Sequence, residues 1–190
     1  MKDPQYDKAL LLSDKMRDKV GSNGFSTTGH SLGGGLASAA SASTGAKGTT
    51  FNAAGLHEKT TERIGLPNSE RDKNQQNVDS YQNSSCPLSI AQNNREGVLW
   101  GLGKAAGKAA GAVGSFFGGP IVGAIGNVLG EGAVKKLASD GALPKAYGNK
   151  IVVPSESFPG TGHGIGEMIE LLDKQTKDDL EKLKKQFNCP

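Results

Sequence analysis

The sequence predicts an α/β fold with a mostly parallel sheet and helices on its faces, and three observations carry that reading. Short β-branched runs alternate with segments of helical periodicity. One of those runs passes through a glycine-rich turn directly into a helix. The chain is 190 residues long with 35% hydrophobic residues, a length that suits one domain spanning 1–190 and a composition that can bury a core.

Along the chain, Ala9, Leu10, Leu12, Met16 and Val20 recur at helical intervals between Tyr6 and Val20, and Gly21-Ser22-Asn23-Gly24 ends that helix. Phe25–Thr28 has strand character, and Leu36–Ala42 reads as a tightly packed helix of small residues. Gly48–Phe51 is a second short strand that ends in a loop at Gly55. Residues 58–77 are polar without a sustained period and are expected to form a surface excursion with one helical turn. Val78–Tyr81 is the third strand and Lys150–Pro154 the fourth, where Ile151, Val152 and Val153 give the strongest strand signal. Ile165, Met168, Ile169, Leu172, Leu180, Leu183 and Phe187 mark a final amphipathic helix, acidic at first and lysine-rich in its last turn, as the helix dipole favours.

Composition excludes several functions. The net charge of +3 comes from 22 basic and 19 acidic residues scattered without a basic block, so nucleic acid is not an expected partner. Two cysteines, Cys86 and Cys189, do not make a disulfide framework, and no Cys/His spacing matches a metal site. No cofactor is expected. The first residues lack a charged start followed by an apolar run, so no signal peptide is expected. The expected location is therefore the cytoplasm of the producing cell, with any export by a specialised secretion route.

Glycine is the unusual component, with 28 residues where a chain of this length averages about 13. One cluster, 97–132, spaces Gly103, Gly107 and Gly111 four apart, and likewise Gly114 with Gly118, Gly119 with Gly123 and Gly126 with Gly130, which places glycines on one helix face. Between Ala109 and Gly130 there is no charge, over a length near the ~20 residues that cross a bilayer. Pro120 and the glycines favour two short helices folded as a hairpin over one straight span. This glycine-zipper insertion is expected either to contact a membrane interface or to be a buried or flexible linker.

The other cluster carries chemistry. Gly29-His30-Ser31-Leu32-Gly33 has the glycine–serine–glycine spacing of a nucleophile elbow, in which a serine sits on a strained turn between strand and helix and bulky neighbours would collide with adjoining backbone. The amide of Leu32 and the helix N-terminus would then face a developing oxyanion.

The run Phe25–Ala37 with Thr50-Phe51-Asn52-Ala53-Ala54-Gly55-Leu56 resembles the class 3 lipase family of α/β-hydrolases, especially bacterial phospholipase-like members, some of them effectors of type VI secretion. The resemblance resumes at Ala142–Pro154 and ends at His163-Gly164-Ile165-Gly166-Glu167-Met168-Ile169, covering about half the chain. It implies Ser31 as nucleophile and His163 as general base, in the serine-before-histidine order of that fold. His30, inside the elbow, and His57, after the second strand, are candidates for positioning or for lining a substrate pocket. The family's acid falls in the segment Val78–Gln92, where the alignment places Cys86; Asp79 is the nearest carboxylate, although it belongs to the start of its strand. Because 28 residues precede Gly29, the sheet is expected to be a partial α/β-hydrolase lacking about half its strands. That implies the C-terminal portion of a longer lipase, a product of gene decay, or a piece whose sheet a protein partner completes.

Three functions follow. The first is a lipase or phospholipase acting on acyl esters of membrane lipids, with the membrane surface and a completing or inhibiting protein as partners. The second is a membrane-inserting or self-associating zipper on an inactive scaffold, and the third a binding module without catalysis.

Overall fold

The structure is a computed structural model that describes residues 4–94, 144–157 and 162–187. The chain divides into two units, one of residues 1–89 with 146–190 and one of residues 90–145. The first holds every described strand, and of the second only residues 90–94 and 144–145 are described.

Helix α1 (Pro4–Val20) leads through a 3₁₀ turn, Ser22–Gly24, into strand β1 (Ser26–His30) and helix α2 (Ser31–Thr44). Strand β2 (Lys47–Phe51), helices α3 (Glu58–Glu62) and α4 (Asn68–Gln75), strand β3 (Val78–Asn83), helix α5 (Pro87–Asn93), strand β4 (Asn149–Val153) and helix α6 (Ile165–Phe187) follow. The four strands are parallel in the order β1-β2-β3-β4, as the alternation of elements predicts. Gly48 stands opposite Thr27 and Val78, and Tyr81 opposite Phe51 and Ile151. Parallel pairing sends all four C-termini to one edge, where ligands of open α/β sheets bind.

Helix α2 packs on β1 and β2, and α1 packs on α2. That layer is close because its residues are small: a Cβ at Gly48 would lie 2.7 Å from Ser41 Oγ, and Thr27 Oγ1 bonds Ser41 Oγ at 2.8 Å. The core beneath consists of Leu10 from α1, Ala39 and Ala42 from α2, and Leu56, Leu66, Val78 and Tyr147. The buried Tyr147 hydroxyl donates to the Arg71 carbonyl, and desolvation is the main cause that pushes its phenol up. Helix α6 contributes one buried side chain among its described residues, Met168, and leaves Ile169, Leu180 and Leu183 exposed.

The polar stretch 58–77 departs from expectation by forming two helices. Their anchors are polar. His57 Nδ1 accepts the Lys59 amide at 3.0 Å and so caps α3, and Pro67 fixes the backbone entering α4. Asn74 Nδ2 then donates to the Ala42 carbonyl at 2.9 Å, tying α4 to α2 without an apolar stripe. Apolar periodicity cannot register such contacts. Helix α2 also begins five residues earlier than the small-residue run suggests, at Ser31 itself. The zipper segment 97–132, and with it the hairpin and the bilayer reading, lies outside the described residues. Among the described residues no helix is long and apolar enough to cross a membrane.

The packing of α1 gives a direct check. Leu10 is 2% exposed and its neighbour Leu11 is 58% exposed. Leu10→Ala is expected to lower the unfolding free energy by about 2–5 kcal/mol, and Leu11→Ala to change it by less than about 0.5 kcal/mol, in urea denaturation.

Candidate active site

Strand β1 ends at His30 and α2 begins at Ser31 with no residue between them. Ser31 is therefore forced to φ +54°, a left-handed backbone that non-glycine residues adopt at a cost of about 1–3 kcal/mol. The steric logic of the glycine spacing holds for one of the two glycines. A Cβ at Gly29 would lie 2.2 Å from the Gly33 carbonyl oxygen, whereas a Cβ at Gly33 would meet nothing within 4 Å. Gly34, next along, is the second crowded position, its Cβ falling 2.6 Å from that of Ala53. The backbone is further pinned where the Ala54 amide donates to the Ser31 carbonyl at 2.8 Å.

His163 arrives from 132 residues downstream, in the turn before α6, and its Nε2 lies 2.9 Å from Ser31 Oγ. Its Nδ1 faces Cys86 Sγ at 3.2 Å, in the turn after β3. Two strand ends hold the backbone of this turn. His30 Nε2 donates to the His163 carbonyl at 2.6 Å, and Asn52 Nδ2 donates to the carbonyls of Gly162 and His163 at 3.2 and 3.3 Å. A carbonyl only accepts, so His30 carries its hydrogen on Nε2. Asn52 is fully buried at φ +44°, and its Oδ1 accepts the Asn83 amide at 2.9 Å.

Asn83 extends the clamp. Its Oδ1 accepts the Ser85 amide at 2.8 Å, its Nδ2 donates to Glu167 Oε1 at 3.3 Å, and Ser155 Oγ donates to the same carboxylate oxygen at 3.3 Å. Hydrogen bonding from Ser157 first, then from Asn83 and Ser155, holds the Glu167 carboxyl below the usual range against the opposing effect of desolvation. The first turn of α6 is thus tied to the end of β3.

Burial, first, and the neighbouring His30, second, lower the pKa of His163 below its ordinary 6.5. The rings of the two histidines are 5.0 Å apart and inclined at 45°. Leu32 follows Ser31 in the first turn of α2, where backbone amides have no intrahelical acceptor, and His30 supplies no side-chain cap. That leaves the helix N-terminus beside Ser31 to receive negative charge.

The remaining sequence candidates lie elsewhere. Asp79 is the exposed second residue of β3, opposite Thr49 and Asn149. Asn83 lies four positions further along the strand, a span of about 13 Å, and the group presented to Nδ1 is the thiol of Cys86. His57 caps α3, its Nδ1 taking the Lys59 amide. Among the described residues no group of three or more His, Cys, Asp or Glu side chains is placed to hold a metal ion. A cavity of about 460 Å³ lies between the end of β4 and α6, lined in part by Val153, Ser155, Leu171, Lys174 and Lys182, and neither Ser31 nor His163 lines it.

Sequence reasoning did not single out Asn52, Asn83 or Glu167. A signal exists for the first two: β1 ends on His30, β2 is followed by Asn52 and β3 ends on Asn83, so a polar side chain stands at the C-terminal edge after each run. Among known proteins, a family model described as the Tle-like phospholipase domain matches residues 1–157. An extracellular phospholipase A1 of Serratia liquefaciens is 41% identical over 64 residues, which make up 34% of this chain and 20% of that enzyme. The match therefore spans about a fifth of that relative's length.

The two glycines of the elbow should respond differently to a methyl group. Gly29→Ala is expected to cost at least about 2 kcal/mol of stability by overpacking, and Gly33→Ala to stay within about 0.5 kcal/mol of the parent, by thermal or urea unfolding.

Proposed function

The chain belongs to the Tle-like phospholipase domain family, a lipid-ester hydrolase family, and from that premise we propose that it cleaves acyl esters of phospholipids with Ser31 as nucleophile and His163 as general base. The observation that carries the proposal is the 2.9 Å approach of His163 Nε2 to Ser31 Oγ across 132 residues of sequence, on a serine already held in a strained turn. A packing accident does not need two strand ends to hold the histidine backbone.

The chemistry follows the acyl-transfer pattern. Ser31 Oγ attacks the ester carbonyl as its proton passes to Nε2 of His163. The carbonyl oxygen becomes an oxyanion beside the Leu32 amide and the N-terminus of α2. Collapse breaks the ester C–O bond, and His163 returns the proton to the departing alcohol. Water then attacks the acyl-serine with His163 again taking a proton, and the fatty acid and free Ser31 are released. His30 acts on the backbone of His163, as a positioning residue. Such a substrate is met at a membrane surface, which is the proposed partner. The edge of β1 away from β2 is where a further strand from a protein partner would pair.

The lowered pKa keeps His163 neutral, and so able to act as a base, below its ordinary range. The acid limb of kcat/KM is accordingly expected below pH 6.5. The stability effect has a definite sign as well. The unfolded chain binds this proton more tightly than the folded one, so stability falls as pH drops from about 6.5 through the lower folded value. With phospholipid vesicles and short acyl esters as substrates, Ser31→Ala is expected to lower the hydrolysis rate by about 10³-fold or more. Equal rates for the two proteins would overturn the proposal.

A further inference from the structure

We propose that Cys86 is the positioning residue that orients His163, its sulfur accepting the Nδ1 hydrogen from the place in the relay that a carboxylate fills in most serine hydrolases. The inference rests on Ser31 and His163 being the reacting pair. Cys86 Sγ stands 3.2 Å from Nδ1 and the residue is fully buried, so water does not compete for that contact. The approach is built into the backbone. The Cys86 amide donates to the Asn83 carbonyl at 3.0 Å, and the carbonyl of Ser85 accepts the Gly162 amide at 3.3 Å. Sulfur and imidazole thus ride on two segments bonded to each other, and Asn83 holds the first at the Cys86 amide and reaches Glu167 four positions past the imidazole.

The direction of the Nδ1 contact decides whether the site can work. A neutral imidazole carries one ring hydrogen. To accept the Ser31 proton, Nε2 must be bare, so the hydrogen must sit on Nδ1 and find an acceptor there. Sulfur provides it. The reverse arrangement, S–H donating to Nδ1, places the hydrogen on Nε2 and leaves Ser31 without a base. When Ser31 attacks, its proton moves to Nε2 and the Nδ1 hydrogen stays directed at sulfur, so no proton is transferred to Cys86.

A neutral sulfur is a weak acceptor and brings no full charge to offset the imidazolium, so the relay holds orientation but adds little basicity. Among the described residues, the titratable groups that stand near the His163 ring include His30 at the end of β1 and Cys86 after β3, and Glu167 on the first turn of α6 has its carboxylate engaged by Asn83 and Ser155.

The test compares Cys86→Asp, Cys86→Ala and Cys86→Ser by steady-state kinetics on a short acyl ester across pH, and by nitrogen NMR of the His163 ring. Cys86→Asp is expected to raise kcat about 10²-fold with little change in KM, and to move both the ring titration and the acid limb upward by about one pH unit or more. Cys86→Ala is expected to lower kcat about tenfold and to mix the two neutral ring tautomers. Cys86→Ser, which keeps the size and an acceptor, should hold the Nδ1–H tautomer, and it serves if the alanine variant does not fold. A His163 titration and tautomer unmoved in all three variants would overturn the assignment of Cys86, whatever the rates. The ring titration does not depend on turnover. If no variant cleaves ester yet the titration moves with Cys86→Asp, the coupling to Cys86 stands and the hydrolase reading fails.

Discussion

The carbonyls of Gly162 and His163 reach the edge of the sheet because side chains there are ready to bond them, and the site depends on that constraint. A turn brought against buried surface must satisfy its backbone oxygens, since each one left unpaired costs about 1–3 kcal/mol. Asn52 and His30 supply the hydrogens, and Nδ2 of the buried Asn52 finds its acceptors in that turn. The dependence is mutual. Without the turn, the buried Nδ2 of Asn52 loses both of its acceptors, and without Asn52 the turn that carries the imidazole loses two of the bonds that hold it near Ser31.

This explains why the glycine pattern and the strand ends belong to one device. Gly29 lets β1 turn into α2 within a single peptide, which thrusts Ser31 forward, and Gly34 lets α2 lie close to Ala53, immediately after Asn52. Ser31 and the residue that clamps the His163 turn are therefore set by the same close contact between α2 and the end of β2. Gly33, whose own Cβ position is open although its carbonyl crowds Gly29, plays no part in the contact with β2. Its bareness leaves clear space at the start of the helix, beside the amides that would receive an oxyanion.

Much of this was legible in the residues. The β-branched runs located the strands, the alternation gave parallel pairing, and the glycine–serine–glycine run placed Ser31 at the junction of β1 and α2. Only the resemblance, not periodicity, brought His163 to that junction, because its position depends on contacts between residues more than a hundred apart. For the same reason the sequence does not single out Asn52 within the Thr50–Leu56 run, nor Glu167 within the acidic first half of the last helix as the partner of Asn83. The helices α3 and α4 were missed because polar caps and Asn74, not apolar spacing, anchor them. At the acid position the resemblance pointed to Cys86, with Asp79 as the nearest carboxylate; Asp79 stands at the start of β3, and Cys86 Sγ lies 3.2 Å from His163 Nδ1.

The central claim, that the elbow and the clamped turn together make Ser31 reactive, is tested most directly by exposing the protein to a fluorophosphonate and mapping the adduct by mass spectrometry. One covalent adduct on Ser31, formed in the parent protein and lost in His163→Ala, is the result expected. No adduct, an adduct on another residue, or labelling of Ser31 at the same rate without the imidazole would contradict it.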